Sequence, residues 1–205
     1  SFCKTVIEII HQICPIIKFQ SACFEKFRGR GLDLMFELSD FAHKFNLLTI
    51  ADVKRADISS SLQHYGEAYL QNRAFDAMTA IPYVGPSTAK TLCEIAKKNS
   101  AGIFFVVKTS NVDSAQFQDI QIGEKPYYRI IGDGIVNYFS PTSSGYLNCG
   151  FVVGATQPQC SVSLRKIYKN VLFLVPGYGT QGASAKDVLP LFGSDGCGAI
   201  VNSSR

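Results

Sequence analysis

The sequence predicts an α/β fold, a TIM (β/α)8 barrel whose first strand and last helix lie outside this chain. Short apolar segments alternate with helical segments along the 205 residues, a pattern typical of a parallel sheet covered by helices. The apolar segments are continuously apolar, as expected where both faces of a sheet are buried. We count seven such strands where a closed barrel needs eight, and the chain opens on a helix and stops just past a strand. An open doubly wound sheet is the alternative.

The first half of the chain alternates helices and strands regularly. Phe2, Val6 and Ile9 recur at helical spacing, and Leu34 and Leu38 repeat that spacing further on. Apolar runs rich in β-branched and aromatic residues separate the helices and predict strands. The elements predicted in this half are helix 2–14, strand 15–19, helix 31–45, strand 47–52, helix 59–73, strand 75–80, helix 87–98 and strand 102–107.

The second half begins with a less regular segment, residues 111–148. This segment contains Pro126, Pro141 and several glycines, and we expect a long loop with one helix near 126–138. Regular alternation then returns. The remaining predicted elements are strand 150–155, helix 158–168, strand 171–175, helix 184–191 and strand 198–202. All 205 residues are assigned to one barrel domain.

Composition excludes several classes of protein. Apolar residues make up 46% and charged residues 18%, enough to bury a core, and no apolar run is long enough to predict a membrane span. The formal charge of +4 suits a protein that handles small anions but is too weak to indicate nucleic-acid binding. Seven cysteines without CxxC spacing and only three histidines predict no metal site. No signal-peptide pattern is present, so we expect reduced thiols and a cytoplasmic location.

Charged residues cluster where the second predicted strand ends. Asp52 closes the strand, and Lys54 and Asp57 follow within five residues. Residues 52 and 54 face the same side of an extended chain, and mutual attraction would keep the lysine protonated and the carboxylates ionised. Lys18 ends the preceding strand and would lie close to Asp52 in a barrel. The alternatives are a solvated loop of mixed charges and a lysine that extends to solvent.

A glycine-rich segment, "VPGYGTQGAS" (175–184), follows the sixth predicted strand. Glycines let backbone N–H groups approach an anion, and the loops after the last two strands of a barrel often bind phosphate. Arg205 follows the seventh strand and could grip a phosphate with two hydrogen bonds. A simple tight turn is the alternative interpretation of the glycines.

Together these segments resemble the orotidine 5'-monophosphate decarboxylase family. Its D-x-K-x-x-D-I motif stands here as residues 52–58. The resemblance extends along nearly the whole chain, and the "KTSN" and "VVGAT" forms are similar to those of a branch found in some bacteria and protozoan parasites. The other matching segments are "IKFQSACFE" (17–25), "DAMTAIPYVG" (76–85), "VVKTSNVDSAQFQ" (106–118), "GFVVGAT" (150–156), "VPGYGTQG" (175–182) and "AIVNSSR" (199–205).

The resemblance implies a cofactor-free decarboxylation of orotidine 5'-monophosphate to uridine 5'-monophosphate. Lys54 would protonate C6, Asp52 would lie beside the substrate carboxylate, and Lys18 would orient the charged groups and touch the ribose. It also implies a homodimer with shared active sites, in which Asp57 reaches the partner's ribose. The remaining implied substrate-binding residues are Ile58 and Ser61 in the partner's site, Ser110 at the pyrimidine, Gln181 and Arg205 at the phosphate, and Pro176 and Gly182 beside them.

The sequence departs from the family pattern in two places. The motif usually continues "DIGNT", whereas here it reads "DISSS", so Ser61 replaces a threonine and keeps its hydroxyl. The aspartate that binds ribose from the family's first strand has no counterpart in this chain. The family also leaves open a fusion to an orotate phosphoribosyltransferase.

Two other functions stay open at this point. A metal-dependent sugar-phosphate decarboxylase or isomerase of the same superfamily would need a carboxylate on the strand that carries Lys18. A non-catalytic nucleotide- or RNA-binding protein would fit the basic pI of about 8.6. No basic stripe interleaved with aromatic residues supports RNA binding, so we expect no nucleic-acid partner.

Overall fold

The structure is a computed structural model that describes residues 2–203 of the chain. Its strands are β1 (Ile16–Gln20), β2 (Leu48–Arg55), β3 (Ala77–Ala80), β4 (Gly102–Lys108), β5 (Gln121–Ile122), β6 (Lys125–Pro126), β7 (Gly150–Val153), β8 (Leu172–Val175) and β9 (Ala199–Val201). Its helices are α1 (Phe2–Ile10), α2 (Ala22–Glu25), α3 (Arg28–His43), α4 (Ser59–Leu70), α5 (Pro86–Lys98), α6 (Ala115–Gln118), α7 (Tyr127–Val136), α8 (Pro158–Ile167) and α9 (Ala185–Val188). Short 3-10 turns are Gln71–Arg73, Val112–Ser114 and Leu189–Leu191.

Seven strands form one parallel sheet in the order β1-β2-β3-β4-β7-β8-β9. Each strand of this sheet pairs with the sheet strand that follows it along the chain; β5 and β6, which lie between β4 and β7, form a separate hairpin. The order is therefore never reversed, as it would be in a doubly wound sheet. Lys18 of β1 and Asn202, just beyond β9, line the same cavity, so the sheet curls until its edges approach each other. Within residues 2–203 no eighth strand joins those edges. The predicted barrel-type fold is confirmed, with seven strands.

The two faces of the sheet bury different sets of side chains. The concave face carries a small apolar cluster that includes Ile50, Phe104, Val152 and Leu174. The convex face carries the main core, where sheet residues pack against the surrounding helices. Fully buried members of that core include Met35, Leu38, Leu62, Phe75, Leu92, Phe105, Phe151, Leu164 and Phe173. Burial on both faces explains why the predicted strands lack the alternation of half-exposed strands.

Several element boundaries differ from the predictions, and the short helices α2 and α6 were not predicted. Helix α1 ends at Ile10 because residues 11–13 form a turn before β1. Strand β2 continues to Arg55, three residues beyond its predicted end. Within 111–148 the predicted helix is found as α7, and an antiparallel hairpin of β5 and β6 precedes it. The end of β2 and the strands β5 and β6 mix apolar residues with charged or polar ones, so no continuous apolar run marked them.

All seven cysteines belong to the described residues and none forms a disulfide there. Reduced thiols and a cytoplasmic location stay predictions from the sequence. Over residues 2–203, no helix is both long enough and apolar enough to cross a lipid bilayer.

Candidate active site

The charged residues of β2 lie on a bulge at the carboxyl end of the strand. Ala51 pairs with Met78 and Arg55 pairs with Ala80 on β3, so three residues of β2 stand opposite Thr79 alone. Within this bulge, Lys54 adopts a left-handed backbone conformation with φ of 45°. Such a conformation is uncommon for a residue other than glycine and often marks a functional site. The bulge brings the ammonium group at one of its ends to the carboxylate at the other.

That carboxylate is Asp52, which accepts four hydrogen bonds from residues that the structure describes. Lys18 Nζ donates to Oδ2 over 2.6 Å, and Gln20 Nε2 donates to the same oxygen over 3.1 Å. Lys54 Nζ donates to Oδ1, which also accepts from Thr79 Oγ1 over 3.0 Å. Three neighbouring strands therefore hold one carboxylate from both sides. The predicted proximity of Lys18, Asp52 and Lys54 is found.

Two lysines counteract the effect of burial on Asp52. Burial of the side chain, which is 7% exposed, would by itself raise the pKa of the carboxyl. The charges of Lys18 and then Lys54, together with their hydrogen bonds, outweigh burial and leave the Asp52 pKa below its ordinary value. The carboxylate is therefore ionised at neutral pH and gives the site a fixed negative charge between two ammonium groups.

A cavity of about 650 Å³ opens beside this cluster at the carboxyl ends of the strands. Its polar lining includes Lys18, Gln20, Asp52, Lys54, Ser110 and Gln181. The side chain of Lys54 is 41% exposed, whereas that of Lys18 is only 9% exposed. Lys54 is thus the ammonium group of the pair that a molecule in the cavity can reach most easily, and a volume of this size fits a small ligand.

The opposite wall of the cavity is held together by a long-range hydrogen bond. Ser110 Oγ, in the loop after β4, donates to Gln181 Oε1 over 2.8 Å. Thr156 Oγ1 in turn donates to the Ser110 carbonyl over 2.7 Å. Pro176 also lines the cavity, and Gly182, with φ of 102°, lies in the turn beside Gln181. The glycine-rich segment is therefore a tight turn, of which Gly177 and Gln181 line the cavity.

The other predicted site residues lie elsewhere. Ile58 is 60% exposed, Ser61 is exposed on α4, and Asp57 Oδ1 accepts a hydrogen bond from the Ile58 N–H over 2.8 Å. None of these three lines the cavity of this chain in the part that the structure describes. Arg205 lies outside the described residues.

The sequence prediction missed Gln20 and Thr79, both of which bind Asp52. Gln20 lies two residues after Lys18, and its Cα pairs with that of Asp52. Thr79 is the single polar residue of the four-residue strand β3. A polar side chain in a short, otherwise apolar strand costs free energy unless it has a partner, and that pattern was the available signal.

Fold and site define a (β/α)-barrel protein with a lysine–aspartate–lysine cluster at the carboxyl ends of adjacent strands, the end where such barrels carry their active sites. The chain belongs to the orotidine 5'-phosphate decarboxylase / HUMPS family, whose model matches residues 1–205. The family resemblance noted from the sequence is confirmed.

Individual relatives agree with this assignment. An orotidine 5'-phosphate decarboxylase of Caldicellulosiruptor bescii is 35% identical over 216 aligned residues, which are 100% of this chain and 71% of that protein. The structure of Leishmania donovani OMP decarboxylase has a TM-score of 0.85 at 28% identity and covers 99% of this chain and 76% of its own. The structure of Leishmania donovani UMP synthase has a TM-score of 0.86 at 30% identity. The match covers 99% of this chain and 44% of the UMP synthase chain.

Proposed function

We propose that this chain catalyses the decarboxylation of orotidine 5'-monophosphate to uridine 5'-monophosphate and carbon dioxide, a step of pyrimidine nucleotide synthesis. The observation that carries the proposal is the Asp52 cluster, in which the more exposed ammonium group, Lys54, borders the cavity. The two relatives named above as decarboxylases of this nucleotide support the choice of substrate.

The chemistry requires a proton donor beside a forming carbanion. The bond between C6 and the carboxylate carbon breaks, the electron pair stays on C6, and carbon dioxide leaves. Lys54 Nζ then transfers a proton to C6 and regains one from water. The ring stabilises this carbanion poorly, so fixed charges must supply most of the rate enhancement. Lys18 and Lys54, both already bound to Asp52, need little rearrangement to do so.

Asp52 has two roles in this proposal. Its ionised carboxylate lies beside the substrate carboxylate and favours loss of that group, because two like charges repel each other at short distance. It also holds Lys54 in position to donate. The depressed pKa of Asp52 supports the first role, since the carboxylate stays charged when the substrate binds.

The rest of the nucleotide is assigned to the opposite wall. We assign Ser110 to the pyrimidine, and Gln181 with Pro176, Gly182 and Arg205 to the phosphate end. The hydrogen bond between Ser110 and Gln181 supports this assignment, because it puts the two binding regions side by side on one wall of the cavity. Binding energy from the phosphate, which is remote from C6, can then contribute to assembling the reacting end.

We further propose a homodimer in which each chain completes the other's site. Asp57, Ile58 and Ser61 would contact the ribose in the partner's cavity. The position of these residues outside their own cavity and the 60% exposure of Ile58 support this arrangement.

The test is the loss of the ultraviolet absorbance of orotidylate in the presence of purified protein. Lys54→Ala is expected to lower kcat by about 10²- to 10⁴-fold, the usual contribution of a positioned proton donor. Lys166→Ala, which removes an exposed lysine on α8, is the matched control and should keep full activity. Absence of turnover by the unaltered protein would refute the proposal.

A chelator separates this reaction from that of the metal-dependent enzymes considered above. Those enzymes need a divalent cation and a carboxylate on the strand where this chain has Lys18. Excess chelator should therefore leave orotidylate turnover unchanged, and loss of activity that added magnesium restores would favour the metal enzyme.

A further inference from the structure

Thr79 occupies a unique place in the sheet, opposite the bulge that carries the charged cluster. It is the only residue of β3 between Met78 and Ala80, the two residues that keep register with β2. The residue is fully buried, with 0% exposure. A molecule in the cavity cannot touch it, so any effect on catalysis must pass through its neighbours.

The Thr79 hydroxyl joins two parts of the cluster. It donates to Asp52 Oδ1 over 3.0 Å and accepts from the Lys54 backbone N–H over 2.9 Å. A backbone N–H can only donate and an ionised carboxylate can only accept, so the direction of both bonds is fixed. We infer that Thr79 is a positioning residue, whose hydroxyl fixes the Asp52 carboxylate and the backbone of the proton donor Lys54 at the same time.

The bulge makes this hydroxyl necessary. In a regular parallel ladder a carbonyl of the neighbouring strand would accept from the Lys54 N–H. Two extra residues in β2 displace that partner, and the left-handed conformation of Lys54 has to be held by its surroundings. The threonine side chain replaces the missing carbonyl as the acceptor.

The distribution of bonds on Asp52 predicts what loss of the hydroxyl would do. Lys18 and Gln20 hold Oδ2, whereas the partners of Oδ1 within residues 2–203 are Lys54 and Thr79. Without Thr79, Oδ1 is held by the partly exposed side chain of Lys54 alone. Both the carboxylate and the ammonium group gain freedom, and the fraction of molecules aligned for proton transfer falls.

The inference rests on the proposed decarboxylase reaction, and Thr79→Val tests it. Valine keeps the branched shape and removes only the hydroxyl. We expect kcat to fall roughly 10- to 100-fold, the scale of a small misplacement of reacting groups, while KM changes little because Thr79 does not touch the substrate. Thr79→Ser restores the hydroxyl and should restore most of kcat.

A pH profile adds a readout that a merely structural role would not move. The hydroxyl favours the charged form of Asp52, against which Lys18 and Lys54 also lie. Its loss should shift the acid limb of the kcat profile of Thr79→Val to higher pH. Thr79→Ser should keep the unaltered profile.

Thr88→Val is the matched control. Thr88 is 1% exposed on α5, and its buried hydroxyl has no hydrogen-bond partner among the described residues. Like Thr79→Val, this substitution removes the hydroxyl of a buried threonine, but it leaves the contacts of Asp52 and Lys54 unchanged. Kinetic constants and pH profile should equal those of the unaltered protein.

Each outcome decides between the alternatives. If the unaltered protein turns over orotidylate and Thr79→Val keeps its kcat and pH profile, the positioning role is wrong. A folded Thr79→Ser with the low kcat of the valine variant would likewise overturn it, and this variant decides the question alone if Thr79→Val does not fold. If the unaltered protein has no activity, the failure belongs to the proposed reaction.

Discussion

At the scale of single residues, the site depends on how Asp52 is kept charged in a nearly buried position. Burying a carboxylate costs free energy unless it has charged or hydrogen-bonding partners. Four donors meet that cost here, two on each oxygen, so the carboxylate has few other orientations open to it. The same contacts that stabilise the folded chain therefore also prepare the charges needed for the proposed reaction.

A second carboxylate, the partly buried Asp76, lies at the opposite end of the sheet, and we expect it to contribute to stability in a pH-dependent way. Its Oδ2 accepts from the Thr49 N–H over 2.8 Å and lies 2.9 Å from His43 Nε2, while Arg73 binds Oδ1 over 3.1 Å. Burial tends to raise the Asp76 pKa, but the bonds from Thr49, His43 and Arg73 outweigh it and lower the pKa from 3.8.

This carboxylate predicts how stability depends on pH. A lowered folded pKa stabilises the protein fully above the unfolded value near 3.8, and this contribution is lost as the pH falls through the folded pKa. Asp76→Asn should be less stable near neutral pH, and the difference should shrink in acid. Denaturant unfolding of both proteins across this pH range measures it. A difference that stays constant down to the lowest pH would contradict the prediction, and activity near neutral pH provides a control for the remote site.

At the scale of elements, the segment between β4 and α7 is hydrogen-bonded to the carboxyl end of β4, beside the loop that contains Ser110. Lys108 is fully buried, and its Nζ donates to Asp119 Oδ1 over 2.6 Å. Next to it, the Gln118 side chain accepts from the Thr109 N–H over 3.0 Å and donates to Thr109 Oγ1 over 2.8 Å. These three hydrogen bonds hold the end of helix α6 against the end of β4. They thereby fix the start of the loop that contains Ser110.

The Lys108–Asp119 pair predicts an asymmetry between its two partners. Asp119→Ala leaves a fully buried ammonium group without its counter-ion and should lower the free energy of unfolding by about 3–5 kcal/mol. Lys108→Met fills the same space with an apolar chain, and Asp119, which is 32% exposed, can be hydrated instead. We expect this variant to lose much less stability. Denaturant unfolding checks the order, and a Lys108→Met variant that is the less stable of the two would refute it.

At the scale of the whole molecule, the predicted dimer can be tested by mixing inactive variants. Lys54→Ala removes the proposed proton donor, and Asp57→Ala removes the group that we assign to the partner's site. In a shared-site dimer, each mixed dimer contains one site with both changes and one unaltered site. Because half of randomly mixed dimers are of this kind, the mixture should recover about a quarter of the unaltered activity.

Mixed dimers are made by unfolding the two variants together and refolding them. The control is each variant unfolded and refolded on its own. Absence of recovered activity in the mixture, although mixed dimers form, would show that the sites are not shared. Oligomeric state is measured in parallel by sedimentation.

Much of the fold was predictable because hydrophobic runs mark parallel strands that are buried on both faces. The end of β2 was not, because the bulge puts three charged residues, Asp52, Lys54 and Arg55, where a strand is expected to be apolar. Contacts between distant segments were also hidden. Ser110 and Gln181 are 71 residues apart, and only the family resemblance indicated that both belong to one site. Gln20 and Thr79 were missed because their functional partner is another protein side chain.

The bulge in β2 also limits how the gene for this protein can change. Side chains of a strand alternate between its two faces, so losing the Val53 codon would put the carboxylate and the ammonium group on opposite sides of the sheet, and losing either neighbouring codon would remove one of the two groups. Point substitutions nearby leave the spacing intact. In a population of inherited variants, in-frame deletions should therefore be purged from this stretch more strictly than from the hairpin turn at Gly123.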